Sequence, residues 1–140
     1  MIPEFKNNQT VANTGLFYVC YLLSKANWNV LPTSRNAVGV DLVVYGNGNK
    51  AITIQIKTLS KQAPIPLGTK LDNHIADFTI VVVGLEKPKV YVVPTKDILL
   101  NEEISNQQKA NKKSFWLNNN ISKWSEFEDR YYEKWEKLSV

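Results

Sequence analysis

The chain has 140 residues, 44% of them hydrophobic, with 17 Lys and Arg against 13 Asp and Glu for a formal charge of +4. That length and apolar content can bury a core without disulfides, and no run approaches the ~20 apolar residues of a membrane-spanning helix. A single cysteine, Cys20, rules out an internal disulfide and suits a reducing cytoplasm. The opening MIPEFKNNQT has no basic stretch leading into an apolar run, so no signal peptide is expected. The mild positive charge permits a polyanionic partner without requiring one.

In chain order, TVANTGLFYVCYLLSKANWNV predicts a helix from about Val11 to Ala26. Leu16, Val19, Cys20, Leu22 and Leu23 follow helical spacing, and Asn13 or Thr14 serves as cap or start. Asn29 to Thr33 predicts a short strand, stopped by Pro32 and the polar Thr33-Ser34-Arg35-Asn36. The runs VDLVVY and AITIQIKT, joined by GNGNK, predict a β-hairpin in which Gly46 and Gly48 serve the turn. These glycines lack the Lys-Ser/Thr and helix of a phosphate-binding loop. Residues 58–76 contain two prolines and a glycine without a clean period, and predict a crossover loop with at most one helical turn. DFTIVVV, from Asp77 to Val83, is the continuous apolar run of a strand covered on both faces, and VYVVPT predicts another strand ending at Pro94. Residues 96–123 predict a short helix followed by loops. Trp124 to Leu138 predicts an amphipathic helix with Trp124, Phe127, Tyr131, Trp135 and Leu138 in one packing stripe. With no internal repeat and no long linker, residues 1–140 read as one α/β domain: helix, three strands, crossover, two strands, helix.

The hairpin carries the chemistry. In AITIQIK the isoleucines face one way, and Gln55 and Lys57 face the other. Asp41 opens the preceding strand, so folding the hairpin would gather a carboxylate, an amide oxygen and an ammonium around one point. Such a set suits a divalent cation and a phosphate: hard oxygens hold magnesium, and a lysine stabilises the transition-state charge of phosphodiester hydrolysis. Blander readings stand beside each residue. Asp41, two residues after Gly39, could end a turn, and Lys57 could be the usual solvated charge at a strand end. Ser34, Arg35 and Asn36 lie just before Asp41 and could contact phosphate or a base edge, while Lys61 and Lys70 could line the same groove. All five could equally be ordinary loop polarity, as could the looser cluster of Lys109, Lys112 and Lys113. His74 is the sole histidine, and an isolated general base there is the weaker reading. Cys20 belongs on the core face of the first helix.

The order helix, strand, Asp41, hairpin, Gln55-x-Lys57 resembles the PD-(D/E)XK nuclease superfamily, the fold of restriction endonucleases and Holliday-junction resolvases. TGLFYVCYLLSKANWNV looks like its first helix and strand. DFTIVVVG and KVYVVPTKDI are similar to the strand pair after the crossover in small bacterial members, and FEDRYYEKWEKL looks like their terminal helix. Three positions depart from the pattern. Val40 stands for the motif proline, and Gln55 for the second acid. The first-helix acid, due near Leu16, is missing, with Asn13 and Thr14 the neighbouring polar residues. Asp41 is then the lone carboxylate unless Glu4 or Asp77 folds into the site.

The resemblance implies a three-layer, restriction-endonuclease-like α/β fold, with a central mixed sheet of about five strands flanked by helices. It implies a Mg2+- or Mn2+-dependent endonuclease acting on DNA, in which Asp41, Gln55 and the Ile56 carbonyl hold metal and Lys57 is the catalytic ammonium. A two-fold homodimer would cut both strands, with the aromatic terminal helix as the segment to suspect. The rival readings are a non-catalytic nucleic-acid-binding or protein-interaction module on the same fold, and an unrelated α/β domain whose strands mimic the motif.

Overall fold

A computed structural model describes every residue except 35–37, 47, 49, 102–104, 110, 111, 119 and 140. Helix α1 (Asn8–Lys25) leads into β1 (Asn29–Pro32), β2 (Leu42–Tyr45) and β3 (Ile52–Leu59). After the crossover come β5 (Phe78–Val83) and β6 (Lys89–Pro94), and these five strands form one sheet in the order β1-β2-β3-β5-β6. β3 and β5 run parallel and every other neighbouring pair is antiparallel, so the sheet is mixed as expected.

α1 starts earlier than the sequence reading placed it. Thr10 N–H donates to Asn7 Oδ1 at 3.0 Å, and Asn7 N–H donates to Thr10 Oγ1 at 2.9 Å. This reciprocal cap satisfies two free amides of the first turn, and Asn13 and Thr14 lie inside the helix. The helix packs on the face of β3 that carries Ile52, Ile54, Ile56 and Thr58. Val19 and Leu23 join Ile52, Ile54, Leu42, Val44, Ile80 and Val92 in one core, and Cys20 packs half-buried against it. The approach is close at Gly15, where any Cβ would fall onto Thr58.

The crossover and the polar stretch after β6 depart from expectation. Residues 58–76 hold the end of β3, a short strand β4 (Ile65–Gly68) and a 3-10 turn at Leu71–Asn73, not a bare loop. After the expected short helix α2 (Thr95–Leu99), β7 (Ser105–Lys109) and β8 (Lys112–Leu117) pair antiparallel in place of the predicted loops. β4, β8 and β7 make a second, antiparallel sheet, which forms because β4 finds its partner far along the chain in β8.

The terminal aromatic stripe is also divided. Helix α3 (Ile121–Tyr131) stops where Tyr132 bridges to Tyr91 and Glu133 turns to φ +53°, its N–H donating to Val90 O at 2.9 Å. Trp124, Phe127 and Tyr131 pack with Ile65, Leu67, Val81, Val93 and Leu117 in a second core. Trp135 and Leu138, in a 3-10 turn, pack into the first core on the other side of the sheet. The result is three layers: α1, the five-stranded sheet, and α3 with the small sheet. Among the described residues no helix is long and apolar enough to cross a membrane.

Candidate active site

The side-chain period of two puts Thr53, Gln55, Lys57 and Leu59 on the face of β3 opposite α1. Leu42 pairs with Ile54, so Asp41, one residue before β2, sits level with Gln55 and Ile56. Asp41 N–H donates to Ile54 O at 2.8 Å, and Ile56 N–H donates to Asp41 Oδ2 at 2.7 Å. The carboxylate thus takes over the ladder position just before β2 begins. A strand residue turns its N–H and C=O to the same side, so the Ile56 carbonyl points to the same edge.

Three contacts hold Asp41 there. Thr33 N–H donates to Asp41 O at 2.9 Å, and Thr33 Oγ1 donates to Val40 O at 2.6 Å, closing the loop between β1 and β2. Gly39, at φ +73°, lies so close to the Asn73 carbonyl that a Cβ would collide with it. This contact seats the Leu71–Asn73 turn, and His74 after it, against the Asp41 loop.

Lys57 is half-buried. Burial pushes its ammonium below the ordinary lysine value, while the nearby Asp41 carboxylate works in the opposite direction. That influence acts at longer range than a contact ion pair such as Lys89–Glu128 at 3.0 Å. A half-buried lysine within electrostatic reach of a carboxylate is a less ordinary arrangement than a strand-end charge in water.

His74 is the residue that sequence reasoning undervalued. It is 5% exposed, with Nε2 2.6 Å from the Leu67 carbonyl of β4 and Nδ1 2.9 Å from the end of the Gln55 amide. Burial holds its pKa below the ordinary histidine value against the Leu67 hydrogen bond, and the Lys57 charge lowers it further. No local motif marks it; the signal available was a sole histidine near the end of a segment with two prolines, a glycine and no clean period.

The remaining candidates separate. Ser34 is exposed just after β1, and Arg35 and Asn36 lie outside the described residues. Lys61 is exposed after β3, and Lys70 is exposed just before the turn that leads to His74. Glu4 is exposed near the amino end, and Asp77 Oδ2 is engaged by Thr53 N–H at 2.9 Å and Thr53 Oγ1 at 3.1 Å, toward the start of β3. Leu16 packs against the first core, so α1 supplies no acid. Among the described residues no cluster of three or more His, Cys, Asp or Glu forms. A cleft of about 770 Å³, lined by Lys50, Ile75, Asp77, Thr95 and Lys96, touches His74 but none of Asp41, Gln55 or Lys57. Chemistry, not volume, therefore marks the site.

The whole chain is similar in fold to a bacterial homing endonuclease, I-Ssp6803I. The match has a TM-score of 0.61 and 14% sequence identity, and covers 96% of this chain and 92% of that one. No protein-family model matches the sequence, and no curated protein does. At that identity the likeness speaks for the fold: a nuclease bears the same architecture along nearly its full length.

Proposed function

We propose that this protein is a metal-dependent endonuclease hydrolysing DNA phosphodiester bonds. The observation that carries the reading is that half-buried Lys57 shares a face of β3 with Gln55, while Asp41 is fixed at the adjoining ladder position by the Ile56 N–H. The donor set fits a hard divalent cation. Asp41 has a second carboxylate oxygen beyond the one bonded to Ile56, and the Gln55 amide and the Ile56 carbonyl add two neutral oxygens. Magnesium is commonly held by one or two carboxylates, with substrate phosphate and water completing the shell. Bound there, Mg2+ or Mn2+ would polarise the scissile phosphate and acidify a water.

The protein's own groups do the rest. Lys57 donates to a non-bridging phosphate oxygen as negative charge builds on the phosphoryl oxygens, an interaction strengthened by its partial removal from water. Ser34, Arg35, Asn36, Lys61 and Lys70 contact the DNA backbone and position it. Replacing either lysine would then weaken binding evenly across sequences and lower the salt slope by about 1. The fold shared with a homing endonuclease supports DNA as the partner. A two-fold homodimer would bring one site to each strand.

The test is cleavage of supercoiled plasmid in Mg2+ or Mn2+. Nicking or linearisation that disappears in EDTA and in Lys57→Ala supports the reading. A second reading, a nucleic-acid-binding module without catalysis, is favoured by the single carboxylate and the apolar Leu16. It predicts no cleavage in either metal, and DNA binding that persists in EDTA.

A further inference from the structure

A carbonyl oxygen can only accept a hydrogen bond. His74 Nε2 lies 2.6 Å from the Leu67 carbonyl, so Nε2 carries the proton. In a neutral ring that leaves Nδ1 with a lone pair, and Nδ1 stands 2.9 Å from the Gln55 amide end assigned as Oε1. Two lone pairs at that distance repel. The oxygen and nitrogen ends of an amide are nearly equal in shape, so the assignment follows from the network. Exchanging them resolves the conflict: Gln55 Nε2–H donates to His74 Nδ1, and the carbonyl oxygen becomes the end turned away from the ring. The neutral ring fits its setting: His74 is 5% exposed, and a charged ring is costly to bury.

We infer that His74 is a positioning residue, gripping the Gln55 amide by its nitrogen so that the carbonyl oxygen is the end presented to the metal; this rests on the nuclease reading above. A glutamine ligand needs such a device more than a carboxylate does. Glutamate offers an oxygen at either end, but half the orientations of a glutamine amide present N–H groups to a cation. The grip is built from three separate segments. β4 supplies the Leu67 carbonyl, the contact of Gly39 with Asn73 seats the chain just before His74, and β3 supplies Gln55.

Two measurements test this. In 15N-labelled protein, long-range histidine spectra should show a proton on Nε2 and none on Nδ1, with a through-hydrogen-bond coupling between Gln55 Nε2 and His74 Nδ1. A proton on Nδ1 overturns the inference. In calorimetric Mn2+ titrations, His74→Leu should weaken binding by about 10–100-fold in the native background, the range typical of a residue that orients a ligand. In the Gln55→Glu background the same change should cost little, because orientation no longer matters. Equal losses in both backgrounds would mean that His74 merely supports the fold, and would overturn the inference. Normal Mn2+ binding without the coupling overturns the His74 grip alone. The coupling without any Mn2+ site overturns the nuclease reading, and with it the grip's metal-facing role.

Discussion

Asp41 accepts the Ile56 amide with its side chain, Oδ2 standing 2.7 Å from the nitrogen where a β2 residue would otherwise pair. One carboxylate oxygen is therefore structural and the other is available to a ligand, so the two roles can be separated. Asp41→Asn keeps an acceptor for Ile56 and should leave thermal stability close to native while abolishing metal-dependent cleavage. Asp41→Ala removes both and leaves a partly buried N–H unpaired, at a cost of about 1–3 kcal/mol. Denaturant titration of both variants beside a plasmid assay checks this. A destabilised Asn variant would contradict it.

Lys57 should behave in the opposite way to an ordinary surface lysine. Its charge is disfavoured by burial, so Lys57→Met replaces a desolvated ammonium with an apolar chain of similar length. Stability should hold or rise, while cleavage falls by about 10²–10³-fold, the usual loss on removing one group that stabilises transition-state charge. Thermal unfolding and single-turnover cleavage on the same preparation give both quantities.

Gly39 and Gly48 share a left-handed backbone, φ +73° and +76°, but differ in surroundings. A Cβ at Gly48 meets open space, so Gly48→Ala should cost only the strain of that conformation, about 1–2 kcal/mol. At Gly39 the Cβ would strike the Asn73 carbonyl, and backbone cannot turn aside as a side chain can. Gly39→Ala should therefore cost clearly more, and should also shift the His74 ring resonances. Equal costs, or an undisturbed His74, would count against this account of how the site is held.

Tyr131 donates to Asp97 Oδ2 at 3.0 Å, and burial, then that hydrogen bond, push its phenol from 10.0 up to about 12. Tyr91, also buried, is pushed up to about 12. An acid whose folded pKa lies above its unfolded value contributes stability that is fully present below about 10. That contribution is lost as pH rises toward 12, because the unfolded chain ionises first. Melting temperatures measured from pH 8.5 upward should fall through this window. Tyr131→Phe should flatten part of the fall, since phenylalanine has no proton to lose.

The features legible in the sequence were those written in local periodicity. Ile52, Ile54 and Ile56 alternating with Thr53, Gln55 and Lys57 determined both the strand and its two faces, and the unbroken run of β5 announced burial on both sides. Asp41, Gln55 and Lys57 could be grouped because a hairpin converts near neighbours in sequence into neighbours in space. Partners distant in sequence were not legible. β4 carries Pro66 and a closing glycine, and it is a strand because β8, about fifty residues on, pairs with it. The terminal stripe looked continuous because helical spacing records only local geometry. The Tyr91–Tyr132 bridge breaks it and sends Trp135 and Leu138 to the other core. His74 reaches Gln55 in the same way, through Gly39 and Leu67. The sequence by itself determined which groups are chemically capable; only tertiary structure decided which stand together, because bringing distant segments into contact depends on whole-domain packing rather than on the periodicity of any one element.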